Sequence, residues 1–592
     1  MAALTDAPPP PAFLNVENSL LGRRWTGPGE PAERIGAAIA QRLEAPEIVG
    51  RVLALRGVAP EDAADYLNPT LKALLPDPST LRDMDVAAAR LVAAVSSRER
   101  IAIFGDYDVD GGASSALLVD WLRALGRAAT VYIPDRIDEG YGPNVEAMAA
   151  LAREHDLIVC VDCGTLSHAP VAAATAAGAE VIIADHHLAG ETLPSCAAVV
   201  NPNRHDDESG MGHLCAAGVV FLLLVAANRL LREKSVAPPD LIAALDLVAL
   251  ATVADVAPLI GVNRAFVRQG LKVMAGRRRP GLRALADIAK LTAPPSAFHL
   301  GYMLGPRVNA GGRIGKADLG ARLLSTLSGE EAEGIAHELD RLNAERRSIE
   351  ADVLAAAILQ VESRGVDGPL VWAAAPGWHP GVVGIVAARL KERFDRPAVV
   401  IGIDGAEGKG SARSVEGVDL GAAVGALARE GLLLKGGGHR MAAGLTVAAN
   451  EIDAAMARLA DKLARSVGAR PAARTLRIDG ALSAAAATPD LIALLEAAGP
   501  FGQAARAPRF ALPAIRVAFA KRAGESHLRL TLADPAGGRL DAIAFRAFEG
   551  PLGPFLEATG GAPVHIAGRL EIDDWGGRRK AKLTVEDAAP AD

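Results

Sequence analysis

Between residues 98 and about 205, short apolar runs alternate with stretches of helical spacing. Residues 101–104, 130–133, 157–161, 181–184 and 197–200 read as strands, and segments such as 114–125 and 168–177 read as helices between them. Near-continuous apolar strands separated by helices predict a parallel sheet covered on both faces. Residues 215–325 are mainly helical in pattern and extend that domain. Residues 330–363 contain no proline and one glycine, Gly334, and Ile335, Leu339, Leu342, Ile349, Val353 and Ile358 recur at mostly helical intervals. A single long helix joining two globular lobes is predicted there.

From residue 369 a second α/β pattern begins, with strands at 370–374 and 398–403 and a helix at 382–394. The stretch Lys435–Gly438, followed by His439, reads as a Gly-rich loop. After about 475 the pattern changes to short alternating strands, at 527–532, 540–545, 564–572 and 581–585, with Gly-rich turns between. That spacing predicts a small β-barrel of the OB type. The expected organisation is an α/β multidomain chain. A tail and helical preface occupy 1–80 and a parallel-sheet domain 81–328. A connecting helix follows at 329–364, then a second α/β lobe at 365–470 and a barrel at 475–588.

Composition adds three constraints. A chain of 592 residues is too long for one core, which agrees with several domains. No apolar run reaches the ~18 residues needed to span a bilayer, and residues 1–11 lack the pattern of a secretory leader. Four cysteines do not make a disulfide framework. Cys160 and Cys163 have CxxC spacing but sit in an apolar strand, so reduced, buried thiols in a cytoplasmic protein are expected. The net charge of −7 argues against a uniformly basic surface. It leaves room for a local basic groove, because a carboxylate-rich metal site lowers the total.

The chemistry concentrates in acids and imidazoles at strand ends. GDYDVDG at 105–111 places Asp106, Asp108 and Asp110 directly after a strand. Like charges packed this closely favour a cation among them. An EF-hand calcium loop is excluded, because its twelfth position would be Leu117 or Val119 where glutamate is needed. Asp162 ends the next strand, Asp185-His186-His187 ends another, and Asp255 ends a helical stretch at 247–254. In open α/β sheets ligands gather at the carboxyl ends of the strands. Oxygen donors with one or two imidazoles suit manganese or magnesium better than zinc.

These motifs resemble the DHH phosphoesterase family, and within it the RecJ branch. The match continues through RIDEGYG at 136–142, LATVAD at 250–255, GPRVNAGGRIG at 305–315, WHPGVVG at 378–384, GSARS at 410–414 and GGHRMAAG at 437–444. The resemblance implies a DHH domain, a DHHA1 lobe and an OB-like domain. It implies a metal-dependent 5′→3′ exonuclease on single-stranded DNA that releases 5′-mononucleotides in DNA repair and recombination. It further implies two Mn²⁺ or Mg²⁺ ions held by Asp108, Asp110, Asp162, His186 and Asp255. Asp106 and His187 would serve catalysis, with His187 facing the attacking water or the phosphate. Ser411, Arg413, Gly438 and His439 would hold the terminal phosphate and nucleotide, and Arg307 or Arg313 a DNA phosphate. Phe510, Phe519, Phe545, Phe548 and Trp575 are candidates for stacking on bases, or else barrel core.

Partners implied are single-stranded DNA and a single-strand-binding protein or helicase, with the enzyme a monomer and no membrane attachment. Phe104 stands where some members of the family have a histidine, removing one potential ligand. Two alternatives remain open on the same motifs. One is a DHH phosphodiesterase for dinucleotides or oligoribonucleotides, which would need neither barrel nor preface. The other is an inactive DNA-binding scaffold, which loss of the carboxylates would mark.

Overall fold

The computed structural model describes residues 11–136, 139–465, 474–573 and 579–591. The chain divides into two compact units, one of residues 76–258 and 266–470, the other of residues 1–75, 259–265 and 471–592. No helix among the described residues is long and apolar enough to cross a membrane.

The first unit opens on a five-stranded parallel sheet. Its strands are β1 (Ile101–Gly105), β2 (Ala129–Tyr132), β3 (Leu157–Val161), β4 (Glu180–Ala184) and β5 (Ala198–Val200), ordered β2-β1-β3-β4-β5. Every residue of β1 and β3 is buried, as expected of central strands covered on both faces. Helix α1 (Val109–Ala124) follows β1, capped by Asp108, whose Oδ1 accepts the N–H groups of Asp110 and Gly111. Helices α2 (Ala216–Glu233) and α3 (Leu245–Ala254) follow the sheet, and α4 (Gly305–Ile314) comes later in the same unit.

Helix α5 (Gly329–Arg364) is 36 residues long, about 54 Å at 1.5 Å per residue. Ser328 caps its start through the Glu331 N–H, and Gly365, with φ of 94°, ends it. Its two halves serve different cores. Leu339 and Leu342 lie against α4 at Gly311 and just past its end at Gly315, whereas Val353, Ala357 and Val361 belong to the core of the following lobe. That division explains why its apolar positions follow no single stripe.

The lobe that follows comprises β6 (Val371–Pro376), α6 (Pro380–Phe394), β7 (Ala398–Asp404), β8 (Glu407–Arg413), α7 (Leu420–Arg429), β9 (Lys435–His439) and β10 (Ala442–Ala448). Its sheet order is β9-β10-β8-β7-β6, with only β6 and β7 parallel. The expected Gly-rich loop at 435–438 is instead strand β9, paired antiparallel to β10. Glycine is a poor strand former in isolation. Here a tight turn after His439 places the segment beside β10, and Gly438 permits an approach that a Cβ would block, 2.4 Å from the Ala442 carbonyl.

In the second unit, β11 (Phe510–Ala523), β12 (His527–Ala533), β13 (Arg539–Ala544), β14 (Pro563–Asp573) and β15 (Lys580–Pro590) form a sheet ordered β11-β12-β13-β15-β14. Pairing of β11 with β14 closes it into a five-stranded barrel. The amino-terminal helices are built into this unit. Strand Arg24–Thr26 pairs parallel with Thr475–Arg477, and the Trp25 indole N–H donates to the buried Asp587 carboxylate at 3.2 Å. Residues 259–265 join them through Arg264, whose guanidinium lies 3.7 Å from the Tyr66 ring centroid and donates to the Ala498 and Gly499 carbonyls.

Candidate metal centre and phosphate cradle

The carboxyl ends of β1, β3 and β4 bring together the acids and imidazoles predicted from their motifs, and the C-terminus of α3 adds Asp255. Ligand atoms of Asp106, Asp108 and Asp162 lie within 4.8 Å of one another, as do those of Asp110, His186 and Asp255, and of Asp162, His186 and His187. The three groups share members, so all seven residues form one cluster. Asp106 stands on the same geometric footing as the five residues assigned as ligands.

Each member is held by its element. Asp110 lies in the first turn of α1, and its two oxygens accept the N–H groups of Ala216 and Ala217 at the start of α2, at 2.7 and 2.8 Å. A carboxylate is favoured at a helix N-terminus. Asp162 adopts φ of 61°, an uncommon conformation that aspartate tolerates, directly after β3. Asp185 belongs to none of these groups and organises the loop. It accepts from Thr165 N and Oγ1, from the backbone N–H groups of His186 and His187, and from His187 Nδ1 at 2.8 Å. Burial works against its charge, yet the His187 and Thr165 hydrogen bonds outweigh it and hold the carboxyl below the usual range. Burial also pulls His187 down, but the Asp185 carboxylate prevails and pushes the imidazole up to about 9.

The remaining acids are under electrostatic load. Burial, then the Asp108 charge, raises Asp106 well above an ordinary carboxyl. Burial and the charges of Asp110, Asp108 and Asp106 do the same to Asp162, and burial with Asp110 and Asp108 raises Asp255 to about 8. Asp106 Oδ1 and Asp162 Oδ1 are buried with no hydrogen-bond partner among the described residues. Buried carboxylate oxygens left without a hydrogen bond beside like charges are costly unless a cation completes them. The donor set therefore fits divalent cations that favour oxygen with some imidazole.

Cationic groups border the cluster. Arg313 in α4 donates to the Gly381 carbonyl at the start of α6, at 3.1 Å. Arg136 lies 5.2 Å from the Tyr107 ring centroid, and no carboxylate pairs with it among the described residues. Its charge is felt at Asp106, Arg313, Arg413 and His379. Arg307, in contrast, is engaged by Asp340 at 2.9 Å and by the Met303 carbonyl.

The register of the second sheet places Ser411, Arg413 and His439 on one face. Arg413 and His439 both pair with Ala442, and Ser411 shares its row with Gly444 and Gly437. A Cβ at either of those glycines would meet open space, so the face is a shallow cradle. Arg413 donates to Ser411 Oγ at 3.0 Å, and Gly384 of α6 leaves room beside both. Gly438 alternates onto the opposite face and can offer only its backbone.

Motif reading alone did not single out Arg136, Tyr141 or His379. The Tyr141 hydroxyl donates to the Asp162 carbonyl at 3.1 Å and lies 3.2 Å from the His187 ring nitrogens, while His379 caps α6 through the Gly381 N–H. All three lie inside motifs already recognised, and that membership was the available signal. Phe104, where some members of the family have a histidine, is fully buried in the core beside the sheet. Among the stacking candidates, Phe510 is fully buried and Phe548 lies under the Arg522 guanidinium, whereas Phe519 and Phe545 are 58% and 53% exposed. Trp575 lies outside the described residues.

Comparison with known families accounts for the parallel-sheet domain, the second α/β lobe and the barrel, each taken by itself. Residues 100–252 match the DHH family, N-terminal domain, residues 367–465 the DHHA1 domain, and residues 478–587 the RecJ OB domain. The class is thus that of DHH proteins carrying a DHHA1 lobe and an OB domain. The single-stranded-DNA-specific exonuclease RecJ of Salmonella typhimurium is 38% identical over 571 residues, covering 92% of this chain and 96% of that protein. Its counterpart from Bacillus subtilis is 34% identical, over 93% and 69% of the two chains. The crystal structure of RecJ in complex with Mn²⁺ from Thermus thermophilus superposes with a TM-score of 0.80 at 32% identity, over 95% of this chain and 79% of that one. The chain belongs to the RecJ family.

Proposed function

We propose that this chain is a divalent-metal-dependent exonuclease that degrades single-stranded DNA from the 5′ end and releases 5′-mononucleotides. The observation that carries the proposal is the juxtaposition within one compact unit of the carboxylate–imidazole cluster and the Ser411–Arg413–His439 cradle, with Arg136 and Arg313 bordering the cluster. The relatives named as single-stranded-DNA-specific exonucleases support the substrate, and the related structure with Mn²⁺ supports the metal.

Asp106, Asp108, Asp110, Asp162, His186 and Asp255 would hold Mn²⁺ or Mg²⁺. When bound, a divalent ion polarises the scissile phosphate and lowers the pKa of water at neutral pH. The chain's own groups do the rest. Asp185 fixes the His187 ring through Nδ1, leaving Nε2 to hold or release a proton at a phosphate or water oxygen. Arg313 supplies charge beside the aspartates, and it is a better phosphate contact than Arg307, whose guanidinium Asp340 already engages. Ser411, Arg413 and His439 bind a terminal 5′-phosphate on the open face of their sheet, with Arg413 offering a planar fork. A cradle occupied by a chain end leaves one linkage within reach of the cluster, which sets both polarity and product. Phe519 and Phe545 offer exposed rings for the trailing strand, each stack contributing ~1–3 kcal/mol. They favour a long substrate over a dinucleotide.

The test follows a strand labelled at either end with wild type and Arg413→Ala. Wild type is expected to release the 5′ label first, as a mononucleotide. Arg413→Ala is expected to raise KM, slow turnover and weaken the preference for a 5′-phosphate over a 5′-hydroxyl. Early loss of the 3′ label, or cutting of a circular single strand, refutes the proposal.

A further inference from the structure

Helix α4 carries an amide between its two arginines, and that side chain reaches the aspartate loop. Asn309 Oδ1 accepts the Val109 N–H at 2.9 Å. Val109 stands between Asp108 and Asp110, so this hydrogen bond ties α4 to the backbone from which both carboxylates project. The donor is a backbone N–H, so the atom facing it must be the amide oxygen, which leaves Nδ2 with two N–H donors pointing elsewhere. No hydrogen bond from Nδ2 is made among the described residues, and the side chain is partly exposed.

Asn309 and Arg313 are four residues apart and share one face of α4. Gly312 completes that face. A Cβ there would lie 2.5 Å from the Tyr107 ring, so α4 and the aspartate loop are in direct contact along it. Burial acts against the Arg313 charge, the nearby Arg136 adds to that, and the Asp108 carboxylate opposes it. One rigid turn thus presents the free amide and a cation side by side at the edge of the carboxylate cluster.

We propose that Asn309 is a positioning residue that couples substrate to metal site. Its oxygen sets the Asp108–Asp110 loop, and its amino group donates to a non-bridging oxygen of the phosphate held by Arg313. Engagement of DNA by α4 then orders the carboxylates that bind the ions. The second half of this statement rests on the function proposed above. The first half does not.

The two halves separate experimentally, because Asn309→Asp keeps an acceptor for Val109 and loses the donor, whereas Asn309→Leu keeps the volume and loses both. Mn²⁺ binding is measured by electron paramagnetic resonance on the whole protein without DNA. Single-strand binding is measured by fluorescence anisotropy in EDTA, and kcat and KM by release of a 5′ label. Loss of a group that orients metal ligands typically costs 10–100-fold in affinity. Asn309→Leu is expected to bind Mn²⁺ at least tenfold more weakly at an unchanged melting temperature. Asn309→Asp is expected to keep Mn²⁺ binding within about threefold while KM for single-stranded DNA rises about tenfold or more, from loss of a charge-assisted hydrogen bond and from repulsion between the new carboxylate and the phosphate. Mn²⁺ binding by Asn309→Leu within twofold of wild type overturns the loop-setting role, and so does equal loss of Mn²⁺ in both variants. Wild-type KM in Asn309→Asp overturns the phosphate contact. If wild type fails to degrade single-stranded DNA, the proposed function falls, while the Mn²⁺ measurements still decide the role of the Asn309 oxygen.

Discussion

Asp185 accepts hydrogen bonds from both histidine backbones, the His187 ring and Thr165, and it is fully enclosed. It illustrates how a residue can govern a site without belonging to its ligand set. Replacing it with asparagine removes one acceptor oxygen and turns an amino group toward groups that already donate. Asp185→Asn should lower kcat about 10–100-fold, the range for groups that orient ligands, while KM for single-stranded DNA stays within about twofold. Steady-state kinetics at saturating Mn²⁺ check this, and a rise in KM with kcat intact would assign Asp185 to substrate binding instead. Asp162→Ala and His186→Ala go further. Each removes a group shared by two of the overlapping ligand sets, so each should abolish hydrolysis while single-strand binding in EDTA largely survives. Near-normal turnover by folded Asp162→Ala would dismiss the metal assignment.

At the scale of elements, helix contacts made through glycine give predictions of opposite sign for one chemical change. A Cβ on Gly381, in the first turn of α6, would lie 2.3 Å from the Arg313 carbonyl of α4. A backbone carbonyl cannot swing aside, so Gly381→Ala forces α6 away from α4 at an overpacking cost of ~1–3 kcal/mol. The gain in helix propensity, ~1 kcal/mol, offsets only part of that. Gly334 lies near the start of α5 with no atom near the position of a Cβ. There the same substitution should stabilise by ~0.5–1 kcal/mol, through propensity and a less flexible unfolded chain. Differential scanning fluorimetry should therefore show a lower melting temperature for Gly381→Ala and a higher one for Gly334→Ala. Equal shifts would mean that α6 and α4 are not in close contact through Gly381.

At the scale of the whole molecule, the barrel cannot be removed by one cut. Residues 11–75 share cores with residues 474–591: Ile39, Val49 and Leu53 pack with Leu491, Leu495 and Phe510, and Trp25 packs with Leu476 and Ile478. A chain ending at residue 474 leaves those apolar side chains uncovered, and exposed patches of that kind promote association. It should aggregate on light scattering, whereas residues 76–470, which leave only the short segment 259–265 without its partners, should associate less, bind Mn²⁺ and bind long single strands more weakly than the whole chain. If the two truncations behave alike, the amino-terminal helices do not depend on the barrel.

Element types and ligand chemistry were legible along the chain because they are written locally. The strand at 157–161 is read at its observed bounds, the helical pattern at 330–363 lies inside α5, and Asp106, Asp162 and Asp185 stand directly after strands, where a parallel sheet gathers its ligands. Resemblance to a family groups Ser411, Arg413, Gly438 and His439 as holders of a terminal phosphate, and the sheet register sets Ser411, Arg413 and His439 on one face. Tertiary structure decided what depends on register and long-range packing. Seven glycine and alanine positions on β9 and β10 carry little periodic signal, so the strand at Lys435–His439 emerges only once β10 supplies partners. The approach of Arg136 to the Tyr107 ring, the bond between Asn309 and Val109 and the union of the amino-terminal helices with the barrel all join residues far apart in sequence. No local spacing encodes such pairs, because burial and backbone hydrogen bonding select them only when the whole chain has collapsed.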